Sequence, residues 1–355
     1  MAVISYKCPN CDGELIFDPN TQQYKCEYCN SMFTQEEVDA MDKAQSTEQQ
    51  DTTNEEENAQ RADGEEAVVY SCPSCGAEIV TDATTAATFC YYCHNPVVLG
   101  GRLEGKYLPH KVIPFKMDRK KAEAMFLEAV SKKKFVPRGF FSKKNIEKLS
   151  GVYFPYWLYS VNLDGEVQGE GKRIRTWIAG DEEFTETKIY ELYREGNVQL
   201  DNLPENALKK ANAKLAEGVL PYQFEEMKDF NMGYLSGFMA EKRDIESQDV
   251  QQEMQQEMRE SAERIFRDTM TDCGIVSVKN ANFRALEEDW QYVLLPVWTL
   301  TYKAGNGKIY YYSMNGQTGK LCGELPIDWK KVLLTAAGSF TVLFAFGLLG
   351  GLLIW

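Results

Sequence analysis

Apolar and polar positions alternate with a period near two in some stretches of the chain and recur every three to four in others. The two regimes lay out an order of elements. Tyr153-Phe154-Pro155-Tyr156-Trp157 runs into LYSVNLDGEVQGEGK, and Leu294-Leu295-Pro296-Val297-Trp298 runs into TLTYKAGNGKIYYYS. Each predicts a strand opened by proline, a tight turn at Asp164-Gly165 or Gly305-Asn306-Gly307, and a returning strand, so two related hairpins are expected. A proline at a strand start implies an edge or a bulge, and the tryptophan two residues later is expected to anchor a core. Further strand patterns cover 187–193, 274–283 and 320–324.

Helical periodicity covers 118–135, where Ala122, Met125, Phe126, Ala129 and Val130 share a face and Lys120, Lys121, Lys132, Lys133 and Lys134 occupy the others. It returns at 204–216, with Pro204 suited to a first turn, and at 241–271. There Val250, Met254, Met258, Ala262, Ile265, Phe266 and Met270 form one stripe suited to packing on a sheet. The region 100–328 therefore reads as an α+β domain of antiparallel hairpins covered by helices.

Cysteine spacing adds a second layer. Eight of the ten cysteines form four Cys-x-x-Cys pairs: Cys8/Cys11, Cys26/Cys29, Cys72/Cys75 and Cys90/Cys93. The interval between pairs is the same in both halves, so one module occurs twice, at 1–33 and 68–99. Two thiolates from one tight turn face a tetrahedral ion, and the intervening hairpin returns the second pair. The reading is two zinc ribbons, each holding one structural Zn2+. Modules this small fold on the energy of ion binding, ~10–16 kcal/mol for structural zinc. Disulfides and an iron site of rubredoxin type would use the same spacing, and metal analysis separates them. Cys273 and Cys322 stand alone and read as buried thiols.

The last segment, 332–355, is uncharged and long enough to cross a bilayer, with Trp329, Lys330 and Lys331 before it and Trp355 at its end. A single-pass tail anchor at 329–355 is expected, with the N-terminal domains on the cytoplasmic side of the cell membrane. Reduced thiolate sites need that same side. Net charge is −14, unevenly spread. Residues 34–67 carry twelve acids against two bases and read as an acidic, disordered linker that lets the first ribbon sweep around the second, with a solvated helix left open only over 36–45. Residues 99–150 carry fourteen bases against five acids. That basic block suits a solvated face, anionic lipid or nucleic-acid phosphate.

Catalytic signatures are missing from the sequence. Gly316-Gln317-Thr318-Gly319-Lys320 lacks the spacing and hydroxyl of a phosphate-binding loop, Gly233-Tyr234-Leu235-Ser236-Gly237 displaces the serine of a nucleophile elbow, and two histidines are little material for acid/base work. No enzyme and no small-molecule substrate are expected.

The paired cysteine modules, Val112-Ile113-Pro114-Phe115-Lys116, Tyr153-Phe154-Pro155-Tyr156-Trp157, Asn231-Met232-Gly233-Tyr234-Leu235-Ser236-Gly237-Phe238, Leu295-Pro296-Val297-Trp298 and the terminal span together resemble bacterial membrane-anchored tandem zinc-ribbon proteins, often described as transcription factor IIB-type zinc-ribbon proteins. The resemblance implies a membrane anchor beside phage-shock A-like or SPFH-like proteins in envelope-stress assemblies. The expected function is a non-catalytic scaffold that recruits protein partners. The alternative is a membrane-tethered nucleic-acid-binding factor, in which residues 99–150 would carry phosphate contact.

Overall fold

The strand that starts at Ser150 does not turn at Asp164-Gly165. In the computed structural model it runs on through Ala179 as one 30-residue strand, reverses at Gly180-Asp181, and returns over Glu182–Asn206. Asp164 and Gly165 lie mid-strand, paired with Asn197 and Gly196 on one side and with Arg284 and Phe283 on the other. The physical reason is a stripe of glycines on one face. A Cβ at Gly165 would stand 2.7 Å from the Phe283 ring and 3.0 Å from Phe266, and one at Gly169 would stand 2.7 Å from the Ser277 carbonyl oxygen. These glycines admit neighbours to a continuous ladder rather than bending it.

The structure describes residues 3–4, 6–48, 68–72, 75–76, 78–90, 95–137, 140, 149–271, 273–304 and 308–354. In chain order the strands are β1 (Val3–Ile4), β2 (Leu15–Asp18), β3 (Gln23–Cys26), β4 (Met32–Phe33), β5 (Val68–Ser71), β6 (Glu78–Thr81), β7 (Thr85–Phe89), β8 (Pro96–Leu99), β9 (Lys111–Val112), β10 (Ser150–Ala179), β11 (Glu182–Asn206), β12 (Lys228–Asp229), β13 (Met239–Glu241), β14 (Ile275–Lys303), β15 (Ile309–Asn315) and β16 (Leu321–Gly323). The helices are α1 (Gln35–Glu48), α2 (Arg119–Ser131), α3 (Ala213–Gly218), α4 (Ser247–Asp268) and α5 (Trp329–Ile354).

Eleven of these strands form one sheet. Its path is β1-β8-β7-β13-β10-β14-β15-β16, with β11 beside β10, and β9 beside both β12 and β14. The fold is mixed α+β as expected, yet its sheet is far larger than a small hairpin domain: the patterns at 274–283 and 294–303 fuse into the single strand β14, which pairs antiparallel with β10 along its length. The second expected hairpin holds as β14 with β15, and its turn at Gly305-Asn306-Gly307 lies outside the described residues.

Both signature prolines sit inside strands, not at strand starts. Tyr153 pairs with Pro296 and Pro155 with Leu294, so the two strings cross each other in the middle of the sheet. Pro155 falls where the other neighbour of β10 changes from β13 (at Val152 and Tyr153) to β11 (from Tyr156 onward). Pro296 falls where the other neighbour of β14 changes from β9 (at Val293 and Leu294) to β15 (from Val297). The missing N–H thus coincides with a break in the ladder. Trp157 and Trp298 are buried as expected, and Trp157 Nε1 donates to the Ile245 carbonyl at 3.0 Å.

Helices follow the apolar stripes with four corrections. Asp118 caps α2 by accepting from Lys121 N at 2.8 Å, and Ala122, Phe126 and Val130 are buried. The helix expected at 204–216 is confined to 213–218, because Pro204 continues β11 opposite Leu158, on a strand where a missing donor is tolerated. The helix expected over 241–271 spans 247–268, Glu241 being in β13. Val250, Met254, Met258, Ala262 and Phe266 of α4 are buried, and the stripe leaves Ile265 exposed. Residues 35–48 of the acidic segment are helical, not disordered; 49–67 lie outside the described residues.

Candidate metal centres

The three described knuckles are built by the same backbone device. Asp12 N donates to the Cys8 carbonyl at 2.8 Å, Asn30 N to Cys26 at 2.9 Å, and Gly76 N to Cys72 at 2.8 Å. The fourth residue after the leading cysteine is left-handed in all three: φ is 62° at Asp12, 59° at Asn30 and 74° at Gly76. Asp, Asn and Gly are the residue types that enter this region at least cost. The left-handed position of the first knuckle is Asp12, one residue before Gly13. Gly13 instead makes room, since a Cβ there would meet Tyr28 at 2.6 Å and the Cys26 sulfur at 3.2 Å.

The four sulfurs of Cys8, Cys11, Cys26 and Cys29 all lie within 4.8 Å of one another, Cys8 and Cys26 buried, Cys11 and Cys29 exposed. Cys72, Cys75 and Cys90 form a second cluster on the same criterion, and Cys93 lies outside the described residues, as does His94. The described cysteines are free thiols. Both clusters can hold a metal ion, and an all-sulfur donor set suits zinc. Hydrogen bonds from the Ser31 side chain and backbone draw Cys29 down to about 6. At Cys11 the lowering bond from the Gly13 backbone is outweighed by the crowded thiols of Cys26, Cys29 and Cys8, which push it up to about 12. Four thiols so close cannot all ionise without a cation between them.

Neither module is a free head. In the first, Phe17 N donates to the Ser236 carbonyl at 3.1 Å, Ser236 Oγ donates to the Leu15 carbonyl at 2.5 Å, and Phe17 meets Tyr234 edge to face at 5.2 Å. Gln22 Nε2 donates to the Phe115 carbonyl, and Asn231 Nδ2 reaches Asp39 of α1 at 2.6 Å. The Asn231–Phe238 string, chemically silent in the sequence, is the seat of the first cysteine module. The second module contributes β7 and β8 to the large sheet, where β7 pairs with β13 and β8 with β1. Asn95 Nδ2 bridges to Glu14 Oε1 at 3.0 Å, joining the two modules directly. The first ribbon therefore does not sweep around the second.

At the other end of the chain, residues 329–347 of α5 are long and apolar enough to cross a membrane, and none of this stretch is buried in the protein. The fold and its sites define a mixed α+β protein with two cysteine clusters, small sheets of their own (β2-β3-β4 and β5-β6) beside the large one, and an apolar helix near its C-terminus. Bacillus subtilis (strain 168) has a similar protein, YdjG, described as uncharacterized; the two are 32% identical over 353 residues, covering 98% of this chain and 99% of that one. The chain belongs to the family of YdjG. No family model matches it, and no solved structure matches it.

Proposed function

We propose that the chain is a non-catalytic scaffold held at the cytoplasmic face of the cell membrane by α5, with two structural zinc ions, and that it recruits a protein partner. The observation that carries this reading is the far end of the β10–β11 hairpin. Beyond Lys172, where pairing with β14 ends, the two strands run on with no third strand beside them among the described residues. On one face Trp177 stacks on Phe184 with centroids 5.8 Å apart, and on the other Ile174, Ile178 and Ile189 are each more than half exposed. An isolated two-stranded hairpin has no core to fill, so large apolar residues on both its faces suit a partner surface.

Thiolate clusters favour the reducing side of a membrane, which supports the cytoplasmic orientation. Partners of phage-shock A or SPFH type follow from the family resemblance noted for the sequence. The nucleic-acid reading draws less support. Of the basic block, Arg102 is buried against Tyr70, and Lys106, Lys111, Lys116 and Arg119 are paired with Glu246, Asp229, Glu226 and Glu123.

Pull-down from detergent-solubilised membranes with the intact chain and with a Trp177→Ser, Phe184→Ser variant tests the scaffold reading. The variant should keep its zinc and its membrane association and lose the companions that the intact chain recovers. Identical companions on both chains would overturn it.

A further inference from the structure

The segment that follows α2 and the start of α5 are fastened together. Asp328 N donates to the Phe135 carbonyl at 2.7 Å, and Lys331 Nζ donates to the Val136 carbonyl at 2.6 Å. Two segments nearly two hundred residues apart are thereby joined where the apolar helix begins. Lys132, Lys133 and Lys134 come from one side of the joint, and Lys330 and Lys331 from the other. Between them lies a groove of about 550 Å³, with Leu127 and Val136 among its walls and Lys133, Lys134 and Lys331 lining it. Phe135 and Trp329, next in sequence to these lysines, are exposed.

Among the described residues two acids share this region, and both are engaged. Glu128 lines the groove and is paired with Lys132 at 2.8 Å, and Asp328 lies 4.0 Å from Lys331 while its carboxylate accepts from Lys330 N at 3.1 Å. Lys133, Lys134 and Lys330 have no acidic partner among the described residues. Lys331 spends one N–H on Val136 and keeps two more donors. The groove therefore offers unneutralised ammonium groups beside apolar walls, at the end of a helix long enough to span a bilayer.

We propose that this groove is a binding site for one anionic phospholipid. The phosphate lies among Lys133, Lys134 and Lys331, and the glycerol and first acyl carbons lie against Leu127 and Val136. Lysines at an anionic lipid surface attract it, and an exposed tryptophan suits the headgroup level. A nucleic-acid backbone would match the lysines but leave the apolar walls unused. The proposal rests on α5 being a membrane span. It adds that the body of the protein reads the charge of the leaflet it sits on.

The test uses the full-length zinc-loaded chain. In neutral detergent, native mass spectrometry with added phosphatidylglycerol or phosphatidylcholine should show one phosphatidylglycerol retained in preference. A Lys133→Gln, Lys134→Gln variant, at exposed positions without ion pairs, should lose about fivefold in apparent affinity per lysine removed. Equal retention of the two lipids, an unchanged variant, or displacement of the lipid by a DNA duplex would each overturn the site. Separately, the chain in phosphatidylcholine vesicles is washed with alkaline carbonate. Release into the supernatant overturns the span and the site together, whereas retention without lipid preference overturns the site alone.

Discussion

Asp12, Asn30 and Gly76 occupy the same place in three successive knuckles and share a left-handed backbone. The amide each presents to the leading cysteine's carbonyl closes the loop that aims two sulfurs at one point. A β-branched residue there carries the steric cost of that conformation, ~1–2 kcal/mol. Asn30→Val should lower the stability of the zinc-loaded chain by about that amount in urea titration, and Asn30→Gly should leave it nearly unchanged. Equal losses from both would place the role of Asn30 in its side chain instead. The cysteine spacing made these turns legible, because a tetrahedral ion dictates where sulfurs must go. Nothing in the spacing revealed that the Asn231–Phe238 string is what the first module sits on, since a contact between segments two hundred residues apart leaves no local period.

At the scale of elements, α4 packs its stripe onto the β10–β11–β14 ribbon and brings acids together at one margin. Glu205 of β11 is pushed up to about 7, first by burial and then by Glu253 and Glu257 of α4 and Glu217 of α3. Its folded-state value is above the ordinary 4.5, so the native chain holds a proton there that the unfolded chain releases. The stabilising share of that proton is fully present below about 4.5 and is lost as pH rises through about 7. Glu205→Gln should therefore stabilise the chain at pH above 7 and flatten the decline across that window, followed by thermal unfolding against pH. An unaltered profile would remove Glu205 from the account.

The element scale also shows how far periodicity reaches. The stripes of α2 and α4 were readable because each helix buries one face. The turn expected at Asp164-Gly165 was not there, because the same Asp-Gly pair that favours a tight turn also suits a strand whose face must admit Phe266 and Phe283. Pro204 misled for a related reason: a residue that opens helices well is also acceptable on a strand lacking a second neighbour at that point.

Across the whole molecule, β1 of the first cysteine module and β7 and β8 of the second join the central domain in one hydrogen-bonded sheet, through β13 to β10, while β2-β3-β4 and β5-β6 form small sheets of their own. Composition separated these regions, but backbone pairing unites them, and pairing partners distant in sequence are not written in either strand alone. Removing the metal should therefore disturb more than the knuckles. A strong chelator should strip two equivalents of zinc and collapse amide-exchange protection over 85–89, 96–99 and 239–241, while 156–172, held by β11 and β14, stays protected. Loss of protection confined to the cysteine turns would show that the sheet does not depend on the ions. Reloading should release protons as the thiols ionise, measurable in weakly buffered solution.

The uninterrupted run from Pro155 to Ala179 gives the molecule a boom. At ~3.3 Å per residue, its 24 steps extend at most about 80 Å, longer than many whole domains are wide. A partner of the proposed kind at Trp177 and Phe184 would dock beyond Lys172, past the last pairing of β10 with β14. Deleting two facing residue pairs midway would shorten that span by roughly 7 Å while leaving both ends chemically intact. On the scaffold reading proposed above, such a shortened chain should still recover its companions, and their loss would show that the length of the hairpin matters to docking.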